Sequence, residues 1–172
     1  MYTKLQAKIF RTLCIKAGTK LNQRELSRLT KTTPSGIAKA IQPLKDIINI
    51  EKNNLMNLNL ISLKRTQKVM QLKQLENLKQ LYELNFVETL EEQFPGTTII
   101  LFGSYAKGED TIKSDIDIAV IGSKRKNLNL EIFEKKLERI INVNFYQSFQ
   151  EINTELKENL CNGLVLVGGI QL

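Results

Sequence analysis

The stretch that most restricts the fold of this chain runs from Gly103 to Val120, GSYAKGEDTIKSDIDIAV. It follows Thr97 to Phe102 (TTIILF), a short apolar run rich in β-branched residues, which predicts a buried strand. A Gly-Ser pair directly after a strand predicts a turn that approaches a ligand closely and directs backbone and hydroxyl donors at phosphate oxygens. Gly103 and Ser104 are therefore the predicted nucleotide-binding residues.

The second half of the same stretch predicts two carboxylates on one face of a strand. Asp115 and Asp117 alternate with Ile116 and Ile118, so the period of two separates the acids from the apolar side chains. Two such carboxylates facing a phosphate-binding turn can hold two divalent cations about 3.5–4 Å apart, which clamp the oxygens of an in-line displacement. Mg²⁺ suits the site because it keeps water and phosphate ligands. A plain turn and a solvated strand edge are the alternative interpretation of either half alone.

The arrangement of Gly103 and Ser104, ten intervening residues, then Asp115-x-Asp117 resembles the signature of the DNA polymerase beta-type nucleotidyltransferase superfamily. The fuller string GSYAKG…SDID resembles its minimal nucleotidyltransferase branch, and the resemblance covers about Thr97 to Gly169. It implies that the Gly-Ser turn grips a nucleoside triphosphate and that the two aspartates bind Mg²⁺ and take part in catalysis.

The resemblance also implies a third carboxylate on a later strand, in a pattern like V-D-L. In the expected place this chain has Asn144. An amide offers one neutral carbonyl oxygen and no basic site, so catalysis is in question, whereas nucleotide and metal binding can survive the loss of the third acid. Glu138 or Glu151 as a substitute is the alternative, although both are more typical of helix-surface and loop acids.

Composition excludes several classes of protein. An apolar content of 42% predicts a packed core, and no apolar run reaches the roughly 18 residues of a membrane span. The N-terminus lacks a signal-peptide pattern, so we expect a cytoplasmic protein with no membrane partner. The absence of histidine excludes histidine-based triads. Cys14 and Cys161 are predicted to be buried thiols rather than a disulfide.

Positive charge is concentrated in the first third of the chain. Residues 1–63 contain eleven Lys or Arg against three Asp or Glu, whereas the chain as a whole has a net charge of +7. Such a segment is typical of proteins that contact a phosphate backbone. We therefore expect nucleic-acid binding at the N-terminal end.

The same segment has the layout of a helix-turn-helix. A first helix is predicted over Lys4 to Ala17, a second begins at Asn22 with a capping box to Glu25, and a third opens at Pro34. On the third helix Ile37, Ile41 and Leu44 form the inward stripe. The residues predicted to face outward and contact duplex DNA in the major groove are Ser35, Lys39 and Gln42.

Two alternating runs, Ile47 to Glu51 and Leu55 to Ile61, flank Lys52-Asn53-Asn54 and predict a β-hairpin. A hairpin after a helix-turn-helix resembles the winged-helix family of DNA-binding domains. Duplex DNA is preferred to RNA because a recognition helix fits the DNA major groove. A small interaction domain that uses these helices only for packing is the alternative.

Three domains follow: 1–63 a winged helix-turn-helix, 64–95 a helical linker, and 96–172 a nucleotidyltransferase-like domain. Ser62 to Phe94 predicts a long helix with a break near Asn85, since no Gly or Pro occurs before Pro95. The linker packs on the domains, and a homodimer through it is a further expectation. The predicted class is α+β, with a small mixed sheet covered by helices in the C-terminal domain.

The predicted function is transfer of a nucleoside monophosphate from a nucleoside triphosphate to a hydroxyl acceptor, with two Mg²⁺ ions. A protein or RNA acceptor is favoured, because the chain has little room for a small-molecule pocket. The alternative is a DNA-binding transcriptional regulator, or an antitoxin-like protein, whose catalytically impaired domain only binds nucleotide or a partner.

Overall fold

The computed structural model describes residues 2–53 and 58–170. The chain divides into two compact units, Met1–Val69 and Met70–Leu172. Together they contain helices and two small sheets, so the predicted α+β class is confirmed. None of the helices within the described ranges is both long and apolar enough to cross a membrane.

The N-terminal unit combines three short helices with a three-stranded antiparallel sheet. In chain order its elements are α1 (Lys4–Ile15), β1 (Leu21–Asn22), α2 (Gln23–Thr30), α3 (Pro34–Ala40), a 3-10 turn (Gln42–Leu44), β2 (Ile48–Asn53) and β3 (Leu58–Leu63). The sheet order is β1-β3-β2. Its core consists of fully buried aliphatic side chains: Ile9, Leu13, Leu26, Ile37, Ile41 and Ile61.

The helix starts of this unit follow from local hydrogen bonds. Asn22 Oδ1 accepts from the N–H of Arg24 and of Glu25, each at 3.0 Å, and Glu25 Oε2 accepts from the Asn22 N–H at 2.7 Å. The predicted capping box is therefore confirmed. Pro34 occupies the first turn of α3, where its missing N–H costs no intrahelical bond, and Thr33 caps that helix.

The turn of the β-hairpin begins later in the chain than the sequence pattern indicates. Lys52 and Asn53 continue β2, where they pair with Asn59 and Leu58, so their assignment to the turn is wrong. Strand β3 provides a partner opposite each of these two residues, so β2 extends through Asn53. The predicted turn residue Asn54 and the predicted strand start at Leu55 lie outside the described residues.

The segment predicted as one long helix contains two. Helix α4 spans Gln67–Glu83 and α5 spans Phe86–Gln93, separated at Asn85, which has a φ of 55°. The break near Asn85 is confirmed. The predicted start at Ser62 is wrong because Ser62 pairs with Asn49 in the β2–β3 ladder.

The C-terminal unit is built around a four-stranded mixed sheet. Its further elements are β4 (Thr98–Phe102), α6 (Gly103–Lys107), β5 (Ile116–Ile121), α7 (Glu131–Leu137), β6 (Ile141–Tyr146), α8 (Thr154–Cys161) and β7 (Leu164–Val167). The order is β6-β5-β4-β7, with β5 and β6 parallel and the other pairs antiparallel. The two strands that precede and follow the Gly-Ser turn, β4 and β5, are therefore the central ones.

Alternation along the two central strands fills a separate core on each face of the sheet. On one face the strand residues pack with α5 side chains, the buried set being Ile99, Leu101, Ile116, Ile118, Val120, Phe86 and Leu90. On the other face they pack with α8, the buried set being Ile100, Ala119, Ile121, Phe149, Ile152 and Leu160. The sheet is thus covered by helices on both sides, as predicted.

The two cysteines differ in environment. Cys14 is buried in the N-terminal unit and Cys161 is exposed at the end of α8, and neither forms a disulfide. The prediction of a buried thiol is confirmed for Cys14 and wrong for Cys161. The last turn of α8 turns Leu160 to the sheet, so its neighbour Cys161 faces outward.

Gly108 holds the turn between α6 and β5 closely against α4. It has a φ of 72°, and an added Cβ would overlap the Met70 carbonyl oxygen and lie 2.8 Å from the Gln74 nitrogen. Both obstacles are backbone atoms, which cannot rotate away. Gly96 has a similar φ of 75° with nothing within 4 Å of its Cβ position.

We expect Gly108→Ala to lower the free energy of unfolding by at least about 2 kcal/mol more than Gly96→Ala, because overlap adds to backbone strain. Gly96→Ala, which has the strain alone, should cost about 1 kcal/mol. Urea unfolding of the two variants measures the difference. Equal losses would show that α4 does not pack on this turn as described.

Candidate functional site

The Gly-Ser turn and the acidic strand meet because β4 and β5 are antiparallel neighbours. Phe102 pairs with Asp117, and the chain turns at the next residue, Gly103. Gly103 has a φ of 74°, and an added Cβ would lie 2.7 Å from Asp117 Oδ2. Glycine is favoured here by the left-handed backbone, and any side chain would also have to displace the Asp117 carboxylate.

Asp115 and Asp117 lie on the same side and converge on one amide. Asn142 Nδ2 is 3.2 Å from Asp115 Oδ2 and 3.4 Å from Asp117 Oδ1. All three residues are half-buried, so the group is open to solvent on one side. The shared face predicted for the two aspartates is what the structure shows.

The asparagine beside the carboxylates is Asn142 and not Asn144. In the parallel β5–β6 pair Asp117 lies opposite Asn142, whereas Asn144 lies opposite Ala119 and is exposed. The two asparagines share a face of β6, so their spacing alone does not distinguish them. Only the register of the pair selects Asn142, and the placement of Asn144 at the carboxylates is wrong.

Ser104 follows Gly103 in the first turn of α6. Its side chain is half-buried, and its hydroxyl makes no hydrogen bond to the residues that the structure describes. Its carbonyl oxygen accepts from the Glu109 N–H at 2.9 Å. Ser104 thus lies next to Gly103, and its hydroxyl donates to no protein acceptor in the described ranges.

Helix α4 holds the far end of this turn with polar side chains. Gln74 Nε2 donates to the Ala106 carbonyl oxygen at 2.7 Å, and Asn77 Nδ2 donates to that of Tyr105 at 3.0 Å. These carbonyls belong to the C-terminal end of α6, where intrahelical donors run out. The side chains of α4 supply donors there, in addition to the Gly108 N–H that reaches the Tyr105 carbonyl oxygen at 3.3 Å, and so hold the helix that begins with Gly103.

Asp110, between α6 and β5, is the centre of a buried ionic cluster. Lys73 donates to its carboxylate and, at 2.8 Å, to its carbonyl oxygen. Asn77 Nδ2 donates to Oδ1 at 2.8 Å, and Arg139 donates to Oδ2 at 3.3 Å. Asp110, Lys73 and Arg139 are each at least 95% buried, so the hydrogen bonds replace lost water.

The Asp110 cluster connects the turn between α6 and β5 to helix α4 and to the segment before β6. Lys73 and Asn77 come from α4, and Arg139 comes from the segment just before β6, the strand that contains Asn142. Sequence reasoning missed this cluster because the residues are 73, 77, 110 and 139 in the chain. The sequence signal that could have revealed the cluster was the pair Lys73 and Asn77, spaced i and i+4 on a helix that is otherwise rich in leucine.

The donor set fits a divalent cation. Asp115 Oδ1 and Asp117 Oδ2 accept no hydrogen bond from the described residues, and two carboxylate oxygens completed by water and phosphate oxygens suit a hard divalent cation. Within those residues no group of three or more Cys, Asp or Glu side chains lies close enough to form a metal site. Any cation held here therefore takes most of its ligands from water or substrate.

The residues predicted to contact DNA lie in the N-terminal unit. Ser35, Lys39 and Gln42 are exposed, and Ile37, Ile41 and Leu44 are buried, so the predicted inward and outward faces are confirmed. Ser35 and Lys39 lie on α3. Gln42 lies in the following 3-10 turn, because Pro43 ends the helix at Ala40.

Comparison with known proteins gives a family match in the part of the chain that contains Gly103, Asp115 and Asp117. Residues 84–167 match the family model of the nucleotidyltransferase domain. The resemblance inferred from Gly103, Ser104, Asp115 and Asp117 is therefore confirmed at the level of this domain. The match begins at Leu84, after α4, and ends at the last residue of β7.

One curated relative matches a short part of the chain. The protein named "Putative protein adenylyltransferase MJ0604", from Methanocaldococcus jannaschii, is 51% identical over 39 residues. That alignment covers 22% of this chain and 39% of the relative, so the chain spans well under half of the relative's length. No solved structure matches the chain significantly.

We expect Asp110→Asn to lower the free energy of unfolding of the C-terminal unit by about 3–5 kcal/mol, because it removes the buried negative charge that Lys73 and Arg139 share. Glu83→Gln is the control, since it neutralises the exposed Lys79–Glu83 pair on the same α4 and should cost less than about 1 kcal/mol. Urea unfolding followed by circular dichroism measures both. A loss at Asp110 no larger than the control would contradict the buried cluster.

Proposed function

We propose that this chain transfers a nucleoside monophosphate from a nucleoside triphosphate to a hydroxyl group, with Mg²⁺ as the divalent cation. The observation that carries the proposal is the contact of Gly103 with Asp117, which joins a phosphate-binding turn to a carboxylate pair. The match of residues 84–167 to the nucleotidyltransferase domain supports the same reaction.

Each residue of the site has a role in this reaction. The Gly103 turn and the Ser104 hydroxyl bind phosphate oxygens, and Asp115 with Asp117 holds the cation. When bound, the cation neutralises charge on the phosphates and fixes their orientation. The acceptor oxygen forms a bond to the α-phosphorus, the bond from that phosphorus to the bridging oxygen breaks, pyrophosphate leaves, and the acceptor proton passes to solvent.

A macromolecule is the acceptor that we propose. The relative from Methanocaldococcus jannaschii is named as a protein adenylyltransferase, which favours ATP as donor and a protein hydroxyl as acceptor. An RNA hydroxyl is the other candidate. The open, half-buried setting of Asp115 and Asp117 is compatible with a large acceptor approaching from solvent.

The N-terminal unit is proposed to bind duplex DNA as a winged helix, and to do so as a homodimer. Support comes from its three helices and three-stranded antiparallel sheet, its strong positive charge and the exposure of Ser35, Lys39 and Gln42. In such domains the third helix enters the major groove, and two-fold dimers read two half-sites.

A second candidate function is DNA-binding regulation in which the C-terminal unit only binds nucleotide or a partner protein. The observation that favours it is Asn142, because an amide beside the two carboxylates provides no general base. The two candidates differ in whether label moves from the nucleotide to an acceptor.

We expect transfer of label from α-labelled ATP, CTP, GTP or UTP to protein or RNA in the presence of Mg²⁺. Asp117→Asn should lower the rate at least about 100-fold, since it weakens the cation's hold on the phosphates. Asp46→Asn, the same change at an exposed residue of the N-terminal unit, is the control and should keep the rate. Nucleotide binding with no transfer by the wild type would instead favour the regulator.

We expect Lys39→Ala to weaken duplex binding and to reduce the slope of log affinity against log salt by about one, as the loss of a phosphate contact does. Gln42→Ala should reduce discrimination between sequences by about 1–3 kcal/mol. Fluorescence anisotropy over a salt series measures both, with Lys135→Ala on α7 as a control for net charge. Unchanged affinity in both variants would place the DNA-contacting surface elsewhere.

A further inference from the structure

The Asn142 amide lies between the two carboxylates rather than beside one of them. Its Nδ2 is 3.2 Å from Asp115 Oδ2 and 3.4 Å from Asp117 Oδ1. Ionised carboxylates accept hydrogen bonds and do not donate them, so the amide nitrogen and not its oxygen faces them. The Asn142 amide nitrogen therefore donates to both carboxylates.

This arrangement uses one acceptor site on one oxygen of each carboxylate. The oxygens that remain are Asp115 Oδ1 and Asp117 Oδ2, and the second of these lies against Gly103. Neither accepts a hydrogen bond within the described ranges, and Asp117 Oδ2 is next to the turn that would bind phosphate. One cation held by these two oxygens would be shared with the triphosphate.

A second cation would have to be held by the other two oxygens, Asp115 Oδ2 and Asp117 Oδ1. The Asn142 N–H groups, which carry the positive end of the amide dipole, already point at them. Asn142 also adds no negative charge to offset a second divalent ion. Two ions about 3.5–4 Å apart, as in two-metal transfer sites, therefore lack a third carboxylate ligand and its negative charge on this side.

We propose that Asn142 restricts the site to one divalent cation, the one that arrives with the nucleoside triphosphate. Asn142 is thus a specificity-determining residue for the number of cations, and this inference rests on the proposed nucleotide site. The consequence for the reaction is that the acceptor hydroxyl has no cation of its own. Nucleotide binding is then retained while transfer is slow.

The matched test compares Asn142→Asp with Asn144→Asp. Both variants replace an asparagine by an aspartate on the same face of the same strand, but Asn144 lies opposite Ala119 and is exposed. Mn²⁺ and the non-transferable analogue α,β-methylene ATP are the probes. Equilibrium dialysis counts Mn²⁺ per chain, and electron paramagnetic resonance detects the spin coupling of two adjacent Mn²⁺ ions.

We expect one Mn²⁺ per chain for the wild type and for Asn144→Asp, with an uncoupled spectrum. Asn142→Asp should hold two, show a spin-coupled spectrum, and transfer label faster than the wild type with ordinary ATP. Two Mn²⁺ ions in the wild type, one in Asn142→Asp, or a second ion in Asn144→Asp would overturn the inference and leave the nucleotide site intact. Failure of the wild type to retain the analogue would overturn the proposed function itself.

Asn142→Ala provides a second measurement if the aspartate variant does not fold. Removal of the amide donor frees one acceptor site on each carboxylate, so we expect Mn²⁺ affinity in the presence of the analogue to rise about tenfold. The number of ions should stay at one, because alanine adds no ligand. Unchanged or weaker Mn²⁺ affinity would contradict the role of the amide.

Discussion

The pairing of Phe102 with Asp117 is the constraint on which the rest of the site depends. Because β4 and β5 are antiparallel and adjacent, the end of one strand and the beginning of the other meet at the same edge of the sheet. Gly103 turns the chain there, and its missing side chain lets the backbone lie against Asp117. The Gly103 turn, which we propose binds phosphate, and the carboxylates are thereby neighbours through the backbone hydrogen bonds of the β4–β5 pair.

A turn held only at its strand end would still be free to move at its other end, and α4 prevents this. Gln74 and Asn77 bond the last carbonyls of α6, while Lys73 and Asn77 bond Asp110 just beyond. Burying these polar groups costs desolvation free energy that aliphatic packing would avoid. We therefore infer that the polar side chains of α4 orient the turn rather than increase the stability of the fold. The compact unit accordingly begins at Met70, although the family match begins only at residue 84.

The sequence allowed prediction of those parts that depend on local patterns. The β4 strand, the Gly103 turn, the shared face of Asp115 and Asp117, the Asn22 cap and the break at Asn85 all follow from neighbouring residues. The role of α4 did not, since its leucines suggested an apolar contact, whereas the helix buries Lys73, Asn77 and Leu81 and exposes Leu75 and Tyr82. The Asp110 cluster joins residues far apart in the chain, and no local period encodes such a contact.

The sequence pattern predicted Asn144 at the carboxylates, whereas the structure places Asn142 there. This difference shows what strand periodicity cannot predict. A period of two identifies the face on which a side chain lies but not its partner across the ladder, because every second residue satisfies it equally. The partner is decided by where β6 begins, and Ile141 lies opposite Ile116 because both fill the same core. Hydrophobic packing at that position therefore determines which amide contacts the carboxylates. An apolar core residue, Ile141, thus sets which polar side chain lies beside Asp115 and Asp117.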